Sequence, residues 1–232
     1  LQRVDRAVDT LQDSGLVERT DEGFRTTYAG RVLLDTVREA TAIADTAGAA
    51  TRLLDHLPID APRDHRFFDD ATVESMADRS PSVVLNRITE SLAAADRVRG
   101  GAVAPNSDEF IDVIRRRTLV EGDLQVELLL PESTAAQVAA DYTAIIEESL
   151  DSDHVTLQVV DDLPFAFYLM TADGATDAQL LAHGPYGNFL GYVENDTPVA
   201  VDWLEALFVD HRREARPFRA FAADRPDLPV SE

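Results

Sequence analysis

The order of strand and helix patterns along residues 65–216 restricts this part of the chain to a sheet covered by helices. Apolar strand patterns occupy residues 71–76, 101–104, 124–130 and 155–160. Helical patterns separate them over residues 81–98, 107–119 and 134–150. Crossover helices of this kind indicate parallel strands. Three further strands follow one another at 164–170, 179–183 and 188–193, which indicates antiparallel additions before a last helix at 199–213. We predict a mixed-sheet α/β fold (α+β overall).

A second pattern precedes this domain. Apolar residues recur at helical spacing between Leu1 and Leu11, and Gly15 stands at the position that ends a helix. The opposite face of that helix carries Gln2, Arg3, Arg6 and Thr10. Glutamine and arginine suit such a face because each can form two hydrogen bonds with a base edge in duplex DNA.

Two short strands follow the helix, around the turn Thr20-Asp21-Glu22-Gly23, and a new helix begins at Tyr28. The order helix, GLVER, turn, GFRTT, YAGR closely resembles the recognition helix and wing of archaeal winged helix-turn-helix regulators. The resemblance implies that Gln2, Arg3 and Arg6 enter the major groove of double-stranded DNA, and that Arg19 and Arg25 meet phosphate or the minor groove. Thr10, on the same helix face, is a further DNA-binding candidate. Because the pattern begins inside the motif, we expect the first helices of the winged helix to be missing upstream. A helix and hairpin that bind another protein instead of DNA are the alternative.

Charge separates these two parts of the chain. All 21 basic residues are arginine, against 43 Asp and Glu, which gives a net charge of −22. Residues 1–31 contain five arginines and six carboxylates, so nearly all of the negative charge follows them. An acidic, lysine-free composition resembles that of proteins from salt-accumulating halophilic archaea, although a high-GC genome also favours arginine over lysine.

The chain is expected to divide into four segments. Residues 1–35 form the recognition helix and wing, 36–64 a connecting helix and linker, 65–216 the α/β domain and 217–232 a flexible tail. The helical pattern over 28–57 presents an apolar stripe that packs either on its own domains or on a second copy in a homodimer. The absence of cysteine, of a long apolar run and of a signal peptide leads us to expect a cytoplasmic protein without membrane contact.

The α/β domain is similar to the effector domain of archaeal regulators of the methanogenesis and filamentation type, the FilR1-like group. The resemblance is carried by residues 97–100 (RVRG), 119–131 (LVEGDLQVELLLP), 162–165 (DLPF) and 201–203 (VDW). It implies a transcription regulator whose C-terminal domain senses an effector or mediates dimerisation.

We expect no enzymatic activity, no metal site and no cofactor. The strand–helix series is loosely similar to half of a phospholipase D-like domain, but that chemistry needs a lysine beside its histidine, and the chain has none. His154 and His183 stand singly, without a partner at metal-ligand spacing. A catalytically degenerate domain of that type remains a third alternative.

Candidate effector-binding residues lie where strands end. Small molecules usually bind at such turns in parallel sheets. Two turns before helices contribute Asn106, Ser107 and Ser133, although both serines are also typical helix N-caps. The turn near Gly184 contributes His183, Tyr186 and Asn188. The triplet at residues 115–117 could bind an anion, but we expect it to neutralise nearby carboxylates.

Overall fold

A computed structural model of the chain describes residues 2–105 and 107–230, with the side chains of Gln2 and Arg3 outside that description. The chain divides into two compact units, Leu1–Asp45 and Thr46–Glu232. The boundary falls inside the segment that the sequence assigns to the connection. None of the described helices is long and apolar enough to cross a membrane.

The first unit follows the predicted order of helix, hairpin and helix. Its elements are helix α1 (Gln2–Asp13), strands β1 (Val17–Thr20) and β2 (Gly23–Thr26), and most of helix α2 (Tyr28–Ala49). The single helix predicted over 28–57 is interrupted at Ala50. Gly48 weakens the helix there, and the Thr51 hydroxyl donates to the Gly48 carbonyl at 2.8 Å.

The second unit is built on one large sheet. Its strands are β3 (Thr72–Ser75), β4 (Arg97–Gly101), β5 (Gln125–Pro131), β6 (Val155–Val160), β7 (Ala166–Ala172), β8 (Ala175–His183), β9 (Phe189–Asn195) and β10 (Arg216–Pro217). Its helices are α3 (Thr51–Leu54), α4 (Pro81–Ala94), α5 (Asp108–Arg115), α6 (Glu132–Asp141), α7 (Thr143–Leu150), α8 (Pro198–Glu214) and α9 (Phe218–Ala223). A 3-10 turn (His65–Phe68) and a π-helix (Arg116–Glu121) complete it.

The strands lie in the order β10-β6-β5-β4-β7-β8-β9-β3. Strands β4, β5 and β6 are parallel, and β7, β8 and β9 extend the sheet antiparallel, so the predicted mixed α/β fold is confirmed. Helices α4 to α7 and α9 bury apolar residues on one face, and α3, the 3-10 turn and α8 bury them on the other. The central strands β5, β7 and β8 are therefore apolar on both faces.

Two strands differ from the sequence prediction. The structure places β4 at Arg97–Gly101, where the helix predicted over 81–98 was to end, and not at 101–104. The two arginines of the Arg97-Val98-Arg99 segment are charged, so the sequence did not indicate a buried strand there. In the structure Arg99 forms an ion pair with Glu205 of helix α8. Strand β3 is antiparallel to β9 at the far edge, because helix α4 carries the chain across the whole antiparallel half before β4.

The C-terminal segment predicted to be a flexible tail is packed onto the sheet. Strand β10 pairs with β6, and Phe218 and Phe221 of α9 are fully buried. Their rings meet edge to face with centroids 5.9 Å apart. Three prolines around this segment suggested a loose chain, but the two phenylalanines supply the apolar area that fixes it.

We expect Phe221→Ala to lower the free energy of unfolding by about 3–5 kcal/mol, since it removes a large buried ring and leaves a cavity. Tyr186→Ala is the control, because Tyr186 is 94% exposed in the same unit and its loss should cost less than about 0.5 kcal/mol. Urea unfolding followed by circular dichroism measures both. An unchanged unfolding midpoint for Phe221→Ala would show that the segment is loose after all.

Candidate functional site

Gly15 closes helix α1, as the sequence predicts. It adopts a left-handed conformation with φ of 70°. Its N–H donates to the Gln12 carbonyl at 2.9 Å, and the N–H of Leu16 donates to the Leu11 carbonyl at 2.9 Å. Together these bonds form a Schellman motif, which turns the chain sharply out of the helix and into β1.

Helix α2 begins in close contact with the base of the hairpin. A Cβ at Gly30 would overlap the carbonyl oxygen of Leu16, so a larger residue does not fit there. The Thr27 hydroxyl donates to the Gly15 carbonyl at 2.8 Å and accepts from the Gly30 N–H at 3.1 Å. The start of α2 is thereby fixed to the hairpin.

The hairpin carries two of the predicted basic residues on its exposed strands. In the antiparallel pair, Glu18 stands opposite Arg25 and Arg19 opposite Phe24. Arg25 donates to one carboxylate oxygen of Glu18 from Nε at 2.8 Å and from Nη2 at 2.6 Å. The Arg19 guanidinium lies 5.9 Å from the centre of the Phe24 ring. Both arginines reach solvent, but Arg25 is already paired with an acid.

The residues of helix α1 that were predicted to contact DNA differ in their exposure and hydrogen bonding, and two of their side chains lie outside the described residues. Arg6 is exposed and its side chain points to solvent. Thr10 is exposed as well, but its hydroxyl donates to the Arg6 carbonyl at 2.9 Å. The side chains of Gln2 and Arg3 lie outside the described residues. The described part of the predicted surface is therefore Arg6, Thr10 and the two hairpin arginines.

The first unit also exposes apolar side chains. Val37 of α2 is 52% exposed and Tyr28 is 86% exposed. Several others, on the hairpin and on both helices, are at least two-fifths exposed: Val4, Leu11, Phe24, Val32, Leu33 and Leu34. On α2, Leu33 and Val37 are one helical turn apart and share one side of the helix, and an exposed apolar patch is typical of a contact surface.

In the second unit, a cavity of about 310 Å³ brings together three of the predicted effector-binding residues. Ser107 precedes α5, whereas His183 and Asn188 flank the turn between β8 and β9. Ser107 is also an N-cap, since its hydroxyl accepts from the Phe110 N–H at 3.3 Å. The remaining wall is mostly apolar: Met76, Leu85, Ile88, Pro105, Phe110, Leu181, Gly187 and Phe189.

His183 is the most unusual group in this wall. Its Nδ1 atom is buried and has no hydrogen-bond partner among the described residues. Its ring packs against Phe189 with centroids 5.8 Å apart. Burial lowers the pKa of the imidazole, because the charged form loses its hydration.

The other predicted effector-binding residues do not line this cavity. Ser133 is an exposed residue of the first turn of α6, whose N-cap is Pro131. Tyr186 is exposed at the tip of the β8–β9 turn. Asn106 lies outside the described residues. The apolar wall was not predicted, because it is drawn from five separate segments that no sequence motif links.

A smaller cavity of about 90 Å³ lies between helices α5 to α7 and the sheet. Its lining is almost wholly apolar, and the Thr134 hydroxyl in it already donates to the Val103 carbonyl at 2.9 Å. Pro105 borders this cavity and the larger one alike.

The arginines at residues 115–117 are paired with acids. Arg115 pairs with Glu148, Arg116 with Glu121 and Arg117 with Asp123. The buried Arg117 guanidinium also donates to the carbonyl oxygens of Leu92, Ala93 and Ala95 at the C-terminal end of helix α4. The triplet therefore neutralises carboxylates and caps a helix, as we expected.

Sequence reasoning missed a buried polar cluster on β3, β8 and β9. Glu74 is almost fully buried and pairs with Arg79 and Arg87. Gln179 donates to the Glu194 carboxylate at 2.6 Å, and burial raises the pKa of Glu194. Burial also raises the pKa of Tyr192, to about 12. These residues are far apart in sequence, and only strand pairing brings them together.

A comparison with known protein families identifies the family to which most of the second unit belongs. The family model "Methanogenesis regulatory protein FilR1, middle domain" matches residues 81–214, more than half of the chain. The chain belongs to this family. The FilR1 middle domain here runs from the start of α4 to the end of α8, and it contains every lining residue of the larger cavity except Met76.

Three solved structures are similar to the chain over much of its length. TrmBL2, an archaeal chromatin protein, is 12% identical, with 90% of this chain and 80% of that one covered and a TM-score of 0.47. Nuc of Salmonella typhimurium, a phospholipase D family member, is 10% identical, with 64% and 97% covered and a TM-score of 0.46. NucT from Helicobacter pylori is 7% identical, with 64% and 98% covered and a TM-score of 0.49. No curated protein matches the chain.

Proposed function

We propose that this protein is a cytoplasmic, DNA-binding transcription regulator that reads double-stranded DNA with α1 and the β1–β2 hairpin. The observation that carries the proposal is the helix, hairpin and helix unit, which exposes Arg6, Arg19 and Arg25 on α1 and the hairpin. Membership of a family of regulatory proteins supports it. Helix α1 enters the major groove, and the hairpin lies on the sugar–phosphate backbone.

The charge distribution supports the same surface. Residues 1–31 are close to neutral, whereas the rest of the chain carries almost all of the −22 charge. DNA would be repelled by most of the protein and least by this unit. Glu18 opposes binding locally, because it neutralises Arg25 at 2.6 Å.

Two variants should change DNA affinity in opposite directions. Arg6→Ala should weaken binding to a random-sequence duplex about three- to tenfold and lower the salt slope by about one, since one phosphate or base contact is lost. Glu18→Gln should strengthen binding about threefold, because Arg25 is freed for phosphate. Fluorescence anisotropy at several KCl concentrations measures both.

The controls are matched pairs on the second unit. Arg213→Ala removes an exposed arginine of α8, and Glu148→Gln frees Arg115 from a pair 3.1 Å long. Both should leave affinity unchanged within twofold. If the control variants act as strongly as Arg6→Ala and Glu18→Gln, the contact with DNA does not lie on the first unit.

The exposed apolar residues of α2 support a homodimer. Its five charged residues, between Arg31 and Asp45, fall within one sector of about 120° around the helix. The opposite sector is uncharged and follows a heptad spacing through Leu33, Val37 and Ala40. Two copies of such a helix can bury this sector against each other.

Val37→Glu should weaken dimerisation at least tenfold, because a carboxylate would be buried in the apolar seam. Ala42→Glu is the matched control on the charged side of the same helix and should stay within twofold. Sedimentation equilibrium measures the association. A wild-type chain that is monomeric at all concentrations, or a Val37→Glu chain that associates like wild type, would contradict this pairing.

The acidic, lysine-free surface supports function in a salt-rich cytoplasm, as in halophilic archaea. Carboxylates repel one another over about 10 Å at 0.1 M salt and over only about 3 Å at 1 M. The thermal unfolding midpoint should therefore rise between 0.1 and 2 M KCl, most steeply below about 1 M. Calorimetry measures it, and an equal midpoint at both concentrations would speak against this setting.

The FilR1 middle domain is proposed to sense an effector in the larger cavity, through Ser107, His183 and Asn188. We propose no catalytic role for it, since the chain contains no lysine, and His154 lies in the turn before β6 whereas His183 ends β8. The exposed rings of Phe24 and Tyr28 favour a second candidate function for the first unit, binding to another protein. The DNA titration above distinguishes the two.

A further inference from the structure

The larger cavity of the FilR1 middle domain is lined by a histidine, His183, with a buried nitrogen that lacks a hydrogen-bond partner among the described residues. The Nδ1 atom of His183 is buried and unpaired among the described residues, although buried polar groups are nearly always hydrogen-bonded. Burial lowers the pKa of this imidazole and so favours its neutral form, in which Nδ1 either accepts or donates one hydrogen bond. A group that can do both satisfies either tautomer.

Two further polar groups line the same space. The Ser107 oxygen accepts from the Phe110 N–H, which leaves its hydroxyl hydrogen able to donate. Asn188 lines the cavity from the other end of the β8–β9 turn. Polar atoms therefore stand on α5's N-cap and on the turn, and both border one cavity.

The remaining wall suits an apolar body. Leu85 and Ile88 come from α4, Phe110 from α5 and Phe189 from β9. The volume of about 310 Å³ lies at the lower end of the range of small-molecule sites, which admits a single ring with substituents or a short chain.

Charge restricts the ligand further. Within the described residues, neither an arginine nor a carboxylate lines this cavity. An anion bound in the cavity would therefore find no cation in the wall to pair with. A cation would find no acid in the wall to pair with.

We infer that this cavity binds a small uncharged molecule that joins a hydroxyl group to an apolar ring or chain, with the hydroxyl bonded to His183 Nδ1. This rests on the proposed effector role of the domain and specifies the chemistry of that effector.

Phenol and toluene test this as a matched pair of probes, because toluene carries a methyl group where phenol carries its hydroxyl. NMR titration of the full chain should show phenol binding about five- to tenfold tighter than toluene, and benzoate should not bind. In His183→Leu the preference for phenol should fall to less than about twofold. His154→Leu is the matched control, since His154 bonds to Gln125 away from this cavity, and it should keep the full preference.

A second pair of variants locates the site. Leu85→Phe should fill the cavity and weaken both probes, whereas Val138→Phe fills the smaller apolar cavity and should leave phenol binding intact. The opposite result, or equal affinities of phenol and toluene for the wild-type chain, would overturn the inference. Thermal unfolding of each variant verifies that it folds.

DNA binding measured with and without phenol separates the two proposals. Phenol that binds through His183 and alters DNA affinity supports both. If phenol binds through His183 without altering DNA affinity, the binding site is supported and its proposed role as an effector site is contradicted. DNA binding with no binding of phenol overturns the inference alone.

Discussion

The pairing of β4 with β7 holds the second unit together, because it joins the parallel half of the sheet to the antiparallel half. The two backbones approach so closely that a Cβ at Gly100 would overlap the carbonyl oxygen of Phe167. A Cβ at Gly101 would likewise press on the Leu163 side chain. The glycine pair thus costs backbone entropy but permits a strand order that no bulkier pair would allow. The larger cavity depends on it, since Ser107 follows β4, whereas His183 ends β8 and Asn188 precedes β9, and both strands are reached through β7.

Two charged side chains of the sheet form ion pairs with helix α8. Arg99 of β4 bonds to Glu205 of α8 and lies over the Phe208 ring, and Arg212 of α8 reaches Glu127 of β5 at 2.7 Å. Pairs in such half-buried positions add little net stability, because desolvation offsets the attraction. They do fix the side on which α8 lies, and this leaves the other face to α4 to α7 and to the cavity.

Much of this architecture could be read from the sequence, and the failures have physical causes. The strands at 124–130 and 164–170 were predicted because burial on both faces produces nearly unbroken apolar stretches. Helix α8 was predicted because its buried residues recur at helical spacing. Strand β4 was misplaced because its arginines are charged, although Arg99 is paired with Glu205 in three dimensions. The C-terminal segment was misjudged because its prolines suggested a loose chain, whereas two phenylalanines in it are buried. For the site, turn chemistry indicated Ser107, His183 and Asn188. The apolar wall and the cluster around Glu74 arise only from strand order, which local patterns do not encode.

The contact between Gly30 and the Leu16 carbonyl has a consequence for how two copies would read DNA. The start of α2 packs directly against the base of the hairpin. The Thr27 hydroxyl also bonds to Gly15, before the hairpin, and to Gly30, in α2. In a dimer joined along α2, the distance between the two hairpins is then set by the helix pair itself. Such a dimer acts as a ruler, accepting half-sites at one separation along the duplex and rejecting the same half-sites a few base pairs nearer or farther.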